Sequence, residues 1–181
     1  MVFHLDFDPE RLSPGDQAAI RRGIAKVFSA FLESRALEGR CIQRDLLESI
    51  ALIEGWTRGI RAREREFERD VFHAYRKKIE KFTEGLPIDE RRIAQEAAIC
   101  ADKTSIAEEV NRLKTHTLRL RRLLRDRNAA TQGREADFLS QEMQRETHTI
   151  AAKTLSLDIH QQILQIRSEI EKIRQQVQNI E

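Results

Sequence analysis

Glu108, Glu109, Arg112 and His116 form the first group whose residue types could do chemistry. Glu109, Arg112 and His116 stand at i, i+3 and i+7, which lines them along one flank of a helix. A carboxylate and an imidazole so placed suit two ligands of a divalent metal, or a base and the group that orients it. The alternative is an i, i+3 ion pair with a histidine on a helix rim, and structural ion pairs outnumber sites.

A second group lies in residues 133 to 153, GREADFLSQEMQRETHTIAAK. Glu142, Glu146, Thr149 and Lys153 follow four-three-four spacing and make one polar stripe, and Asp137, Gln141 and Arg145 make another beside it. Phe138, Met143 and Ile150 are left for the apolar side. Glu142 and Glu146, one turn apart, can share a hard cation through oxygen, and Arg145 or Lys153 can meet a phosphate. A solvated face laced by Glu-Arg pairs is the competing account.

Arg119, Arg121, Arg122, Arg125 and Arg127 supply a third feature, a cluster of guanidinium groups suited to a phosphate backbone. The stretch from Arg58 to Asp70 is as rich in arginine, but Glu64, Glu66, Glu68 and Asp70 interleave it, so it reads as salt-bridge lacing. There is no H-E-x-x-H spacing, phosphate-cradling G-x-x-x-x-G-K or dinucleotide glycine motif, which disfavours zincins, P-loop NTPases and Rossmann oxidoreductases. Trp56, Tyr75, Cys41 and Cys100 read as packing residues, the cysteines as small buried side chains.

These groups need long helices to position them. Of 181 residues 34% are charged and 6% aromatic, and 7 Gly with 3 Pro are too few turn residues for sandwiches or barrels. The formal net charge of +2 gives no bulk attraction for nucleic acid. Two cysteines cannot build a disulfide framework, the acidic N-terminus is unlike a signal peptide, and no apolar run reaches the roughly 20 residues that span a bilayer. A cytoplasmic, membrane-free setting is expected.

The pattern predicts an all-α fold of long helices with a coiled-coil-like helical hairpin and one short N-terminal strand over residues 2 to 8. Ser13-Pro14 opens a helix that carries Ile20, Ile24, Val27, Phe28, Phe31 and Leu32 and ends near Ser34. A second helical stretch runs from about Ala36 to Thr83, on the order of 70 Å at ~1.5 Å per residue. Its seam is Ile42, Leu46, Ile53, Trp56, Ile60 and Phe67, with Ser49 and Arg63 as polar lapses and Gly55 and Gly59 as a candidate bend. Gly85 and Pro87 mark a domain boundary, dividing residues 1–86 from 87–181. Beyond it Asp89 caps a short helix, Ile106, Val110, Leu113, Thr117, Leu120 and Leu124 form a seam, and residues 128–133 form a loop. A single long helix from about Glu135 then carries Ile163, Ile166, Ile170, Ile173, Val177 and Ile180.

Taken in order, IDERRIAQEAAICADKTSIAEEVNRLKTH, GREADFLSQEMQRETHTIAAK and the terminal IEKIRQQVQNIE resemble the C-terminal domain of the YicC-type endoribonuclease family. The resemblance covers residues 87–181 and extends more weakly upstream through Arg35, Glu38 and Gly39, an R-x-x-E-G element. It implies a bacterial, cytoplasmic endoribonuclease that needs a divalent metal, Mn²⁺ or Mg²⁺, assembles as a homo-oligomer, a hexamer, and clamps structured RNA. Matched positions include Glu96, Glu108, Glu109, Arg112, His116, Arg134, Asp137, Gln141, Glu142, Arg145, Glu146, Thr149 and Lys153.

Several positions depart from the family pattern. The usual N-terminal α/β region with its M-T-G-F-G-like start is replaced by VFHLDF, which predicts a truncated member. Glu135-Ala136 stands for Lys-Leu and lowers the local positive charge. Gln144 stands for Asn, Ala152 for Ser, Ser105 for Asp, and His148 for an Asn, where it could serve as ligand or proton carrier.

Two functions follow. In the first, Glu109, His116, Glu142 and Glu146 hold one or two metal ions for hydrolysis of RNA phosphodiester bonds. Arg112, Arg119, Arg122, Arg134, Arg145 and Lys153 then contact RNA, supported by Asp137, Gln141 and Thr149. In the second, the chain is a non-catalytic helical oligomerisation or RNA-binding module derived from that family.

Overall fold

A computed structural model describes residues 13–83, 89–126 and 132–178, the side chain of Gln132 excepted. The expected strand, the Gly85–Pro87 break, Arg127 and Ile180 lie outside these residues. Five helices account for most of the rest, α1 (Pro14–Phe82), α2 (Glu90–Lys103), α3 (Ala107–Arg125), α4 (Gln132–Lys153) and α5 (Leu157–Gln178). No strand occurs among the described residues, so the all-α expectation holds.

Packing divides the chain into two units, Met1–Ile42 and Gln43–Glu181, a division that falls inside α1 rather than at 86/87. In the first unit Ser13 caps α1, its Oγ accepting from the Asp16 N–H at 3.2 Å and donating to the Asp16 carboxylate at 2.6 Å. Ile20, Ile24, Val27, Phe28, Phe31 and Leu32 then stand 41 to 71% exposed. The stop expected near Ser34 is absent. The residues there are tolerable helix formers, and a lone Gly39 costs only about 1 kcal/mol.

In the second unit α1 buries Leu46, Ile50, Ile53, Thr57, Ile60, Phe67 and Val71. This corrects the expected seam. Trp56 and Ser49 are half-buried and Arg63 is exposed, so the buried stripe lies one position round the helix, through Ile50 and Thr57. Thr57 satisfies its hydroxyl by donating to the Ile53 carbonyl at 2.8 Å, which is how a polar residue passes as core. No break occurs at Gly55 or Gly59. Thr83 closes α1 with its hydroxyl on the Ile79 carbonyl.

Asp89 caps α2 as expected, accepting from the Arg91 N–H at 3.0 Å. All six predicted α3 seam residues are buried. The single helix expected from Glu135 to the C-terminus is instead two. The chain leaves α4 after Lys153, Thr154 Oγ1 accepts from the Ser156 N–H, and Ser156 Oγ accepts from the Ile159 N–H to start α5. Local hydroxyl competition of this kind carries no hydrophobic signature, so the seam alone cannot reveal the turn. Ile163, Ile166, Ile170, Ile173 and Val177 are buried on α5 as predicted.

Cross-helix pairs set the arrangement. Glu109 meets Lys153 and Arg119 meets Glu135, so α3 and α4 are antiparallel. Asp137 and Gln144 meet Arg174, and His148 meets Arg167, so α5 returns against α4. Arg121 reaches Glu54, and Ser49 donates to the buried Glu169, so the second-unit part of α1 touches both α3 and α5. The unit is a four-helix bundle with α1 and α4 on opposite corners. No helix of the described residues is long and apolar enough to cross a membrane.

Candidate functional site

The facing flanks of α3 and α4 collect most of the predicted site residues. Each lies beside a seam position, Glu109 before Val110 and Glu146 three residues after Met143, so packing of the apolar stripes fixes where they point. Lys153 Nζ bridges the helices, donating to Glu109 Oε1 at 2.7 Å and to the Ser105 carbonyl at 3.1 Å. Glu109 Oε2 is buried with no hydrogen-bond partner. Arg112 is held by Glu108 one turn back and approaches Glu146 Oε1 at 3.8 Å.

Glu146 is the most unusual group. Its side chain is 11% exposed, and Arg112 at 3.8 Å is its nearest cation. Burial pushes its carboxyl above the usual carboxylate range. Arg112 and His116 oppose the rise, whereas Glu109 and Glu142 add to it. Three carboxylates and one imidazole thus share one electrostatic neighbourhood. Among the described residues, however, no group of three or more His, Cys, Asp or Glu lies close enough to hold a metal ion together.

The remaining predicted residues divide between helices. Glu142 pairs with Arg145 at 2.7 Å and is half-buried. Asp137 turns toward α5, accepting from Gln141 at 2.7 Å and facing Arg174 Nε at 3.5 Å. Thr149 is exposed and donates to the Arg145 carbonyl. Phe138, assigned to the apolar side, is 54% exposed, and Ala136, Leu139 and Ile150 fill the face with Met143. Its place on α4 falls outside the narrow stripe those residues bury. His148 also faces α5. Its Nδ1 lies 2.8 Å from the Gln144 carbonyl and its Nε2 3.0 Å from Arg167. Since arginine can only donate, Nε2 accepts and Nδ1 carries the proton.

In the arginine cluster, Arg119 is spent on Glu135 at 2.9 Å, the position that departs from the family pattern. Arg121 pairs with Glu54 at 2.9 Å, whereas Arg122 and Arg125 are exposed in the last turn of α3. Arg134 is exposed as well. Both cysteines are free; Cys41 is exposed rather than buried, being off the α1 stripe, and Cys100 is half-buried.

Sequence reasoning missed the Glu54–Arg121 pair and the buried Glu169, which accepts from Ser49 at 2.8 Å and Lys172 at 2.6 Å. The signal was available. Glu54 follows seam residue Ile53, Arg121 follows Leu120 and Glu169 precedes Ile170, positions that face a neighbouring helix.

A family model described as "Endoribonuclease YicC-like, C-terminal" matches residues 60–181. A protein of Clostridioides difficile (strain 630) named "Probable endoribonuclease YicC" is 38% identical over 154 residues, 82% of this chain and 50% of that protein. One of the same name from Haemophilus influenzae (strain ATCC 51907 / DSM 11121 / KW20 / Rd) is 35% identical over 96 residues, 53% of this chain and 33% of its own length. The chain spans half or less of the length of these curated relatives. The matched residues include both flanks of the α3–α4 interface, and on this evidence the chain belongs to the YicC-like endoribonuclease family.

Proposed function

We infer that this chain is the helical part of a metal-dependent endoribonuclease that hydrolyses phosphodiester bonds in structured RNA. The observation that carries this is Glu146. A buried carboxylate, pushed up by burial and faced by the unpartnered Glu109 Oε2, is poorly compensated by the protein's own cations. The donor set is oxygen-rich, which suits Mg²⁺ or Mn²⁺. Such ions are commonly held by one or two carboxylates, with waters and substrate phosphate completing the sphere, so a cluster of three protein ligands is not required.

Glu109 and Glu146 are the residues that would hold the ion, with Glu142 and His116 beside them. When bound, a divalent ion balances charge at the scissile phosphate and lowers the pKa of a water. Lys153 fixes Glu109 from α4 and is a positioning residue. Arg112 presents an exposed guanidinium next to Glu146, where a phosphate oxygen can take it from Glu108. Arg122, Arg134 and Arg145 lie further along the exposed faces of α3 and α4 and contact the backbone electrostatically. A cytoplasmic setting goes with an RNA substrate. Homo-oligomerisation, as a hexamer, is supported by the exposed apolar stripe from Ile20 to Leu32.

The second reading is a non-catalytic helical RNA-binding or assembly module. It is favoured by the lack of three converging ligands among the described residues. Incubation of the purified chain with an end-labelled hairpin RNA in Mn²⁺ or Mg²⁺ decides between them. Cleavage that is lost in EDTA and in the Glu142→Gln/Glu146→Gln variant supports the enzyme. Binding without cleavage in any metal supports the module.

A further inference from the structure

On the flank of α3 opposite Glu109 and His116, a cavity of about 220 Å³ opens between α3 and α1. Its floor is apolar. Thr57 and Thr117 have both turned their hydroxyls to their own helix carbonyls, at 2.8 and 2.7 Å, and so present methyl groups beside Val110 and Leu118. Arg58, Arg61 and Lys114 stand at the rim, all exposed, and none makes an ion pair with a described residue. This overturns the expected salt-bridge lacing from Arg58 to Asp70: no acid within the stretch pairs with an arginine of the stretch, and Arg63 pairs instead with Asp158 on α5. At one end of the cavity Glu54 gives Oε2 to Arg121 while its Oε1 is buried with no hydrogen-bond donor.

An apolar floor, a buried acceptor and three uncompensated cations match the parts of one nucleotide. The volume is below that of pockets for drug-sized ligands, ~300 Å³ and upward, and fits a single base better than a whole cofactor. Single-stranded RNA is read by splaying out a base, covering its face and hydrogen-bonding its edge. A free carboxylate oxygen selects a base with an exocyclic amine over uracil, whose edge at that place is a carbonyl. We propose that this cavity takes one unstacked, amine-bearing base of the RNA strand, with Glu54 Oε1 accepting from the amine and Arg58, Arg61 and Lys114 on the flanking phosphates. The proposal rests on the RNA reading above and adds to it a nucleotide-selecting site on the other side of α3.

The test is binding of the full chain to fluorescein-labelled C12 and U12 oligoribonucleotides, which differ at the base edge by amine against carbonyl. The wild-type chain is expected to prefer C12 several-fold. Arg58→Ala/Lys114→Ala, two exposed side chains whose loss leaves helicity by circular dichroism unchanged, should weaken both oligomers about tenfold. It should also flatten the dependence of log affinity on log salt by about 0.7 per phosphate lost. Glu54→Gln should abolish the C12 preference while leaving U12 affinity within about twofold. Equal affinities for the wild-type chain and the double variant overturn the proposal, and so does a wild-type chain that does not distinguish C12 from U12. Metal-dependent cleavage of the hairpin RNA, followed on the same samples, separates the two claims. Normal cleavage with unaltered variant binding sinks the cavity alone. Cleavage-deficient chain with the predicted binding losses sinks the enzyme and keeps the cavity. A chain that neither binds nor cleaves RNA sinks both.

Discussion

Glu146 on α4 looks across the helix interface at Arg112 on α3, with 3.8 Å between Oε1 and Nη1, too long for a hydrogen bond and close enough for partial compensation only. Arg112 is meanwhile engaged by Glu108. The bundle therefore carries a buried carboxylate that it stabilises poorly, at a place where a well-packed apolar residue would serve the fold better.

The first prediction follows from that imbalance. Because burial raises the folded-state pKa of Glu146, the folded state binds more protons than the unfolded state between the ordinary carboxylate value, about 4.3, and the raised one. Stability consequently falls as pH rises through that window. Glu146→Gln removes the penalty. In EDTA it should raise the melting temperature at pH 7 by a few degrees, on the order of 1 kcal/mol, and the gain should vanish near pH 4. The same variant should lose metal-dependent cleavage, the combination expected where activity is kept at the cost of stability.

Lys153 gives a contrasting case. It compensates Glu109 at 2.7 Å from the neighbouring helix, and Glu109 is 11% exposed at its side chain. Lys153→Met leaves that carboxylate without a donor on either oxygen and should destabilise the chain by about 2 kcal/mol, less than a fully buried pair because Lys153 is itself partly exposed. Lys153→Met with Glu109→Gln should recover more than half of the loss. Chemical denaturation of the four chains would measure the coupling directly.

How much of this was legible in the sequence varied with what each residue answers to. The α3 seam from Ile106 to Leu124 was read without error, since every position is fixed by one hydrophobic period. On α1 the same period admitted two registers, and Trp56 drew the choice to the wrong one; Thr57 could pass as core only by bonding Ile53, a local event no hydropathy scale records. The polar stripes of α4 were recognised as unusual, but one period cannot say that Glu146 serves α3 while Asp137 and His148 serve α5. That assignment needs the turn at residues 154–156, made by hydroxyl caps rather than by Gly or Pro.

The two mid-helix glycines of α1 should respond differently to a methyl group. At Gly55 an added Cβ meets nothing within 4 Å, so Gly55→Ala should stabilise by about 0.5–1 kcal/mol through helix propensity alone. At Gly59 it would meet Gln162 Oε1 of α5 at 3.0 Å. Gln162 is the flexible end of a side chain and can yield, so Gly59→Ala should gain less than Gly55→Ala. Adding Gln162→Ala should restore the difference. Thermal melts of the three variants test it, and a Gly59→Ala gain equal to that of Gly55→Ala would show that α1 and α5 do not approach closely there.

The two histidines of the site helices make the sharpest pair for assigning roles. His116 lies on α3 in the neighbourhood of Glu146 and makes no printed commitment to another helix's polar groups, whereas His148 has Nδ1 on the Gln144 carbonyl and Nε2 on Arg167. With both ring nitrogens engaged toward α5, His148 has no lone pair to offer a metal and no free proton to move. His148→Asn, which restores the family's usual residue, should leave the rate of metal-dependent RNA cleavage within about twofold, and His148→Ala should cost only the stability of an exposed contact, less than about 1 kcal/mol. His116→Ala should lower cleavage by 10²-fold or more, the ordinary range for removing a ligand or general base. Both variants are read in the hairpin assay at saturating RNA and over a Mn²⁺ titration. A ligand role for His116 predicts that excess Mn²⁺ partly rescues His116→Ala, and a rate that falls for His148→Ala instead would exchange the two assignments.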